Sequence, residues 1–188
     1  MFYNYPSFVD VNKINEYQGN EGQYRYYLSI PFFNADTPNT LLIVLKNPST
    51  ADKIMADDTA LQVCNYAYKQ NFSKVILVNL FAYKATDSME LKNLCKLHGL
   101  NHIVGLENDK YIKQAIQEAN KIIVAWGTPP KGFVTTYKTR IKKVHTLLKK
   151  HNLYYANKLS KKVYPLHAII WNKTINLKDY RNDCLLYK

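Results

Sequence analysis

Apolar and polar positions alternate along the chain in blocks that predict a strand–helix succession. Tyr24-Arg25-Tyr26-Tyr27-Leu28-Ser29-Ile30 is rich in aromatic and β-branched residues and ends at Pro31, as a strand would. After the loop Asn34–Asn39, the aliphatic run Leu41–Leu45 reads as a second, buried strand. Val75–Leu80 is almost continuously apolar, as expected of a strand covered on both faces. Ile122–Trp126 is a fourth strand, stopped by Gly127 and Pro129-Pro130, and Leu153–Ala156 and Leu166–Trp171 are the last candidates. Between them the period changes. Asp58-Thr59 can cap a helix running to about Gln70, with Leu61, Cys64, Ala67 and Tyr68 on one face. A helix follows over Asp109–Ala119, and another over Thr136–Lys150 with Tyr137, Ile141, Val144 and Leu148 inward. The alternation argues a parallel-centred α/β sheet with helices on both sides.

Length and composition fit that reading. A chain of 188 residues, 47% hydrophobic, suits one domain with a real core, and no repeat or low-complexity linker divides residues 1–188. No apolar run is long enough to span a bilayer, and Met1-Phe-Tyr-Asn-Tyr-Pro lacks the order of a signal peptide, so a cytoplasmic protein is expected. Cys64, Cys95 and Cys184 are odd in number and widely spaced, which argues against structural zinc, an iron–sulfur cluster or a disulfide framework. Asp52, Asp57 and Asp58 read as helix-start caps rather than metal ligands, so neither a metal nor a cofactor is expected.

Charge changes the picture. Residues 1–130 hold 12 Lys/Arg and 12 Asp/Glu, whereas residues 131–188 hold 14 and 2, so the whole +12 lies in the last third. A one-sided basic field points to a polyanion, most simply DNA, or to an acidic protein. Lys131, Lys138, Lys142, Lys143, Lys161 and Lys162 are the candidates for such contacts.

The chemistry gathers at strand ends. In α/β sheets ligands bind where strand carboxyl ends meet their loops. Three such loops, Lys46–Asp52, Asn79–Thr86 and Trp126–Gly132, offer Asn47, Ser49, Thr50, Asp52, Asn79, Tyr83 and Thr128, with Phe81 and Trp126 nearby. The first loop contains no glycine, so it is not a phosphate cradle of backbone amides. Asn is a poor strand former that needs partners once desolvated, and Asn47 or Asn79 alone could simply tie loops together. Two on adjacent strand ends suit another purpose, because a carboxamide matches the Watson–Crick edge of a pyrimidine.

The segments LKNPSTAD, ADDT, ILVNLFAYKATD and IIVAWG resemble a bacterial and phage family of unknown function with an L-N-P-S-T-A-D signature, over about Tyr24 to Trp171. In the same order they also resemble the uracil-DNA glycosylase superfamily. VLKNPS is similar to its G-I-N-P-G water-activating loop, ILVNL to the uracil-reading L-L-N strand end, and IIVAWGTPPKG to L-L-W-G-S-H-A-Q-K. VYPLHA stands where that superfamily has the H-P-S-P-L-S loop that wedges into the minor groove.

The second resemblance implies a three-layer sandwich with a central, mainly parallel four-stranded sheet and an N-terminal β extension. It implies Asn47 and Tyr164 at the catalytic positions, and Asn79, Phe81, Tyr83 and Pro48 around the base. Ser49, Thr128, Pro165 and His167 would join the lysines on nucleic acid. Asn47 replaces the Asp of the most active branch, and Tyr164 replaces its His. The expectation is therefore a monomeric DNA-binding protein of glycosylase type with weak or no base excision. The alternatives are an active glycosylase for uracil or a modified base, and a module that binds an acidic, DNA-mimicking glycosylase inhibitor.

Overall fold

A computed structural model describes residues 3–33, 38–49, 51–85, 87–171 and 174–183. Its strands are β1 (Asn15–Gly19), β2 (Tyr24–Pro31), β3 (Thr40–Leu45), β4 (Lys74–Asn79), β5 (Lys121–Val124), β6 (Leu153–Ala156) and β7 (Leu177–Asp179). Its helices are α1 (Asp58–Lys69), α2 (Ser88–His98), α3 (Leu100–Val104), α4 (Asn108–Glu118), α5 (Val134–Leu148) and α6 (Tyr180–Asp183). The strands form one seven-stranded sheet in the order β1-β2-β4-β3-β5-β6-β7. β4, β3, β5 and β6 are mutually parallel, and β1, β2 and β7 join antiparallel.

The sheet is thus larger than the four strands expected. β1 (NEYQG) is polar and half-exposed, so no apolar alternation announces it, and β7 is a three-residue edge. Leu166–Trp171 is not a strand. Pro165 lacks an N–H, and the segment closes instead as a 3₁₀ turn over Ala168–Ile170, with Trp171 N–H donating to Ala168 O at 3.0 Å. α2 was also not foreseen. It starts at Asp87, whose carboxylate accepts from Met89 N–H at 2.9 Å.

The central strands explain themselves. Every residue of β3 is buried, and all of β4 except Lys74, because helices cover both faces. Leu42, Val44, Ile76 and Val78 face α4 and α5, while Leu41, Ile43, Leu45, Val75 and Leu77 face α1. Each such aliphatic stabilises by roughly 1.5–3 kcal/mol, which makes the sheet centre a rigid platform. α1 buries Ala60, Val63, Cys64 and Ala67, a stripe turned slightly from the one expected, so Tyr68 faces solvent. α5 buries the four apolar residues expected of it, together with Arg140 and His145. No helix among the described residues is long and apolar enough to cross a membrane.

Candidate functional site

β4 and β5 flank β3 in parallel, so their loops emerge from the same edge of the sheet, the carboxyl edge. Leu45 is level with Asn79. The Asn47 and Asn79 ends therefore share that edge.

Past the strands, the first two loops are stitched together. Leu80 N–H donates to Leu45 O and Phe81 N–H to Lys46 O, both at 2.9 Å, and Ala85 N–H donates to Pro48 O at 3.1 Å. The Asn47 amide adds two bonds, to Ala85 O at 2.6 Å and Pro48 O at 2.9 Å. A loop without glycine is thus held by a proline and a side chain. Asn47 spends its donors on loop tying and keeps only its Oδ1 for a ligand or water. Ser49 donates to Asp57, which also caps α1 by accepting from Ala60 N–H at 2.7 Å. The helix cap is Asp57, one of the aspartates the sequence marks as helix-start caps, rather than Asp58.

These loops enclose a cavity of about 420 Å³. Lys46, Asn47, Ser49, Asp57, Thr59 and His167 line it, together with Leu45, Leu77 and Arg25. Its volume lies in the range of small-molecule sites. His167 Nδ1 accepts from Ile169 N–H at 3.3 Å, which leaves the proton of the neutral ring on Nε2. Burial, then the nearby Lys46 charge, lower the His167 pKa to about 4 against a weaker pull from Asp57. Burial likewise lowers the Lys46 pKa. Gly127 lies in the left-handed region at φ 69°, and a Cβ there would come within 3.2 Å of His167 Cβ, so this glycine lets the last loop close on the cavity.

Two buried polar groups stand out. Asn79 is 0% exposed, and neither Nδ2 nor Oδ1 has a hydrogen-bond partner among the described residues. By strand alternation it shares the α1 face with Leu77, and its neighbour across the ladder is Leu45; both leucines line the cavity. Asn79 itself is fully buried and does not line the cavity. Arg25, 2% exposed, reaches the cavity from β2, donates from Nη1 to Ala51 O, and leaves Nε without a partner. Burial lowers its pKa, opposed first by Asp57 and then by Glu16. Sequence reasoning missed Arg25, although a lone cation in the run YRYYLSI was the available signal.

The other expected residues scatter. Phe81 is buried on the opposite face of the sheet against Phe133 and Tyr137, at 5.8 and 5.9 Å, and does not roof Asn79. Tyr83 packs edge-on against Tyr24 at 5.5 Å and beside His102. Tyr164 is buried on the Phe81 side, 5.9 Å from the Tyr137 ring, and does not line the cavity. Pro48 and Pro165 are buried, and Thr128 is exposed beside Gly127. Thr50 and Thr86, like Cys184, lie outside the described residues.

The lysines divide by height. α5 begins at the carboxyl edge, after β5, and ends at the opposite edge, where it feeds β6. Lys131 and Lys138 are therefore exposed near the cavity edge, Lys142 and Lys143 midway, and Lys149 and Lys150 at the far end. Lys161 and Lys162 sit at the tip of a tight loop closed by Leu159 and Pro165, beyond the carboxyl end of β6. Beside them Val163 holds a left-handed φ of 64°, a costly conformation for a β-branched residue.

Comparison with known proteins adds a family but no activity. A family model described as a protein of unknown function (DUF1643) matches residues 25–168. No curated protein and no solved structure matches.

Proposed function

Since the chain belongs to DUF1643, a family of proteins of unknown function, its role has to be argued from the site, and we propose that it is a uracil-DNA glycosylase-like protein that binds DNA across the carboxyl edge, with weak or no base excision. The observation that carries this reading is the amide of Asn79. An orphaned buried polar group costs about 1–3 kcal/mol, and here one carboxamide leaves both atoms orphaned in the residue paired with the cavity-lining Leu45. A ligand with a complementary edge offsets that cost, and an unstacked base has one.

Further support comes from the arrangement around it. The four parallel strands run in the order β4-β3-β5-β6, with the Asn47 loop after β3 and Asn79 ending β4. Exposed lysines lie along the same edge. Ile169, which lines the cavity, and the adjacent Ile170 are 47% and 59% exposed, apolar side chains of the kind that wedge between bases.

The lean towards weak excision follows from chemistry. Hydrolysis of an N-glycosidic bond needs a held water and a group that stabilises the departing base anion. Asn47 can accept from a water, but its donors are committed to backbone. Asp57 is engaged by the Ser49 hydroxyl and by the N–H groups of Ala51 and Ala60. Tyr164 packs on the other face of the sheet. Losing one anion-stabilising donor costs about 10²–10³ in rate.

The test is incubation of pure protein with uracil-containing single- and double-stranded DNA, following both binding and abasic sites. Binding with little or no cleavage is expected. Rapid cleavage would favour the active-glycosylase alternative. Absent binding to any DNA would leave the basic, apolar-rimmed edge to an acidic inhibitor protein.

A further inference from the structure

Lys46 places an amine at the cavity that no partner holds among the described residues. We propose that Lys46 is a nucleophile that captures abasic sites in DNA, its Nζ condensing with the C1′ aldehyde of the ring-opened deoxyribose to form an imine.

Geometry carries the assignment, which rests on the DNA-binding function proposed above. Lys46 follows Leu45, the last residue of β3, and lines the cavity beside Asn47. Its backbone is fixed, because its carbonyl accepts from Phe81 N–H at 2.9 Å and the Asn47 amide ties the loop behind it. Its side chain is half-buried, yet among the described residues it makes neither a hydrogen bond nor an ion pair. Other lysines of the chain find carboxylates: Lys74 pairs with Glu118 and Lys110 with Glu107, both at 2.7 Å. A desolvated cation without a partner is costly, whereas a neutral amine is not.

Arg25, Asp57, Asp58, Asp87 and His167 are the other titratable groups lining the cavity. The Asp57 carboxylate is taken by Ser49, Ala51 and Ala60, and Asp87 caps α2. Burial therefore lowers the Lys46 pKa, which enlarges the neutral fraction that attacks carbonyls. With Lys46 neutral, three carboxylates share the cavity with the Arg25 guanidinium, which disfavours an anionic carbonyl compound and suits an uncharged sugar aldehyde. The step balances without a co-reactant. The Nζ lone pair bonds C1′, the two protons of the amine leave with the aldehyde oxygen as water, and water reverses the capture. Its substrate is the product of base excision, so a protein with weak excision of its own would act after an active glycosylase.

The test incubates the full chain with an oligonucleotide carrying one abasic site, single-stranded and in duplex, in sodium cyanoborohydride, which reduces the imine to a stable secondary amine. Denaturing electrophoresis should show a cross-linked species, and mass spectrometry of its peptides should place the sugar on Lys46. An oligonucleotide with a tetrahydrofuran analogue, which lacks the aldehyde, should give none. Lys46→Arg keeps a cation but cannot form the imine, and should lose the adduct. If that variant does not fold, the attachment site mapped in the wild type decides alone. No adduct, or attachment spread over surface lysines without enrichment at Lys46, would overturn the assignment. Such a result with salt-dependent DNA binding intact refutes only the nucleophile. The same result with no DNA binding refutes the proposed function as well.

Discussion

Asn108, at the start of α4, holds the carboxyl end of β4: its amide donates to the carbonyl of Asn79 at 3.1 Å and to that of Leu80 at 3.2 Å. Arg140 from α5 adds a bond to Leu80 O at 2.5 Å and is itself held by Asp109 at 2.6 Å. Two helices thus fix the backbone from which the orphaned Asn79 amide projects. Strand ends are otherwise where carbonyls run out of partners.

Asn108→Ala should therefore cost stability and precision together. It leaves one buried carbonyl without a partner and a second reliant on Arg140. A loss of about 1–3 kcal/mol is expected in denaturant unfolding. At temperatures where the variant is folded, discrimination between uracil and cytosine should fall while affinity for uracil-free DNA holds. Unchanged stability would mean that these bonds are replaceable by solvent.

Position relative to the two edges of the sheet should matter more than charge alone. Lys161→Glu/Lys162→Glu changes the loop tip at the cavity edge and should weaken binding of every DNA sequence and flatten its salt dependence. Lys149→Glu/Lys150→Glu reverses the same charge at the opposite edge and should do much less. Equal losses in competition binding would show a diffuse field instead of an interface.

Acid should destabilise the fold through two histidines. Burial lowers the pKa of His145 to about 4, helped by Arg181, and that of His167 to about 4, helped by Lys46. Because both folded values lie below the unfolded value, the unfolded chain takes up protons first. Stability is then full above pH 6.5 and falls as pH drops towards 4, by up to about 1.4 kcal/mol per pH unit for each histidine. His145→Gln should remove about one proton from the slope of unfolding free energy against pH. An unchanged slope in that window would assign the titration elsewhere.

The sequence made the platform legible and the site only in part. Val75–Leu80 and Leu41–Leu45 are apolar on both faces, and only a covered parallel strand is built that way, so their pairing could be read. β1 could not, because an edge strand half in water needs no apolar pattern. Asn79 was visible as a polar residue ending an apolar run. Phe81 was expected beside it, yet the chain leaves the strand at Leu80 and turns that ring to the other core. Arg25 was hidden by its neighbours, since its strand supplies aromatic packing while the cation crosses to a loop 26 residues away. Asn108 and Arg140 act on backbone carbonyls, which carry no sequence signature of their own.

The most direct test of a DNA-binding carboxyl edge is the salt dependence of affinity for a labelled duplex, measured by fluorescence anisotropy with and without one uracil. With Lys131, Lys138, Lys161 and Lys162 on phosphates, a slope of log affinity against log salt of about −3 to −5 is expected, together with tighter binding of the uracil duplex. A slope near zero, with micromolar or weaker affinity for both duplexes, would contradict the account.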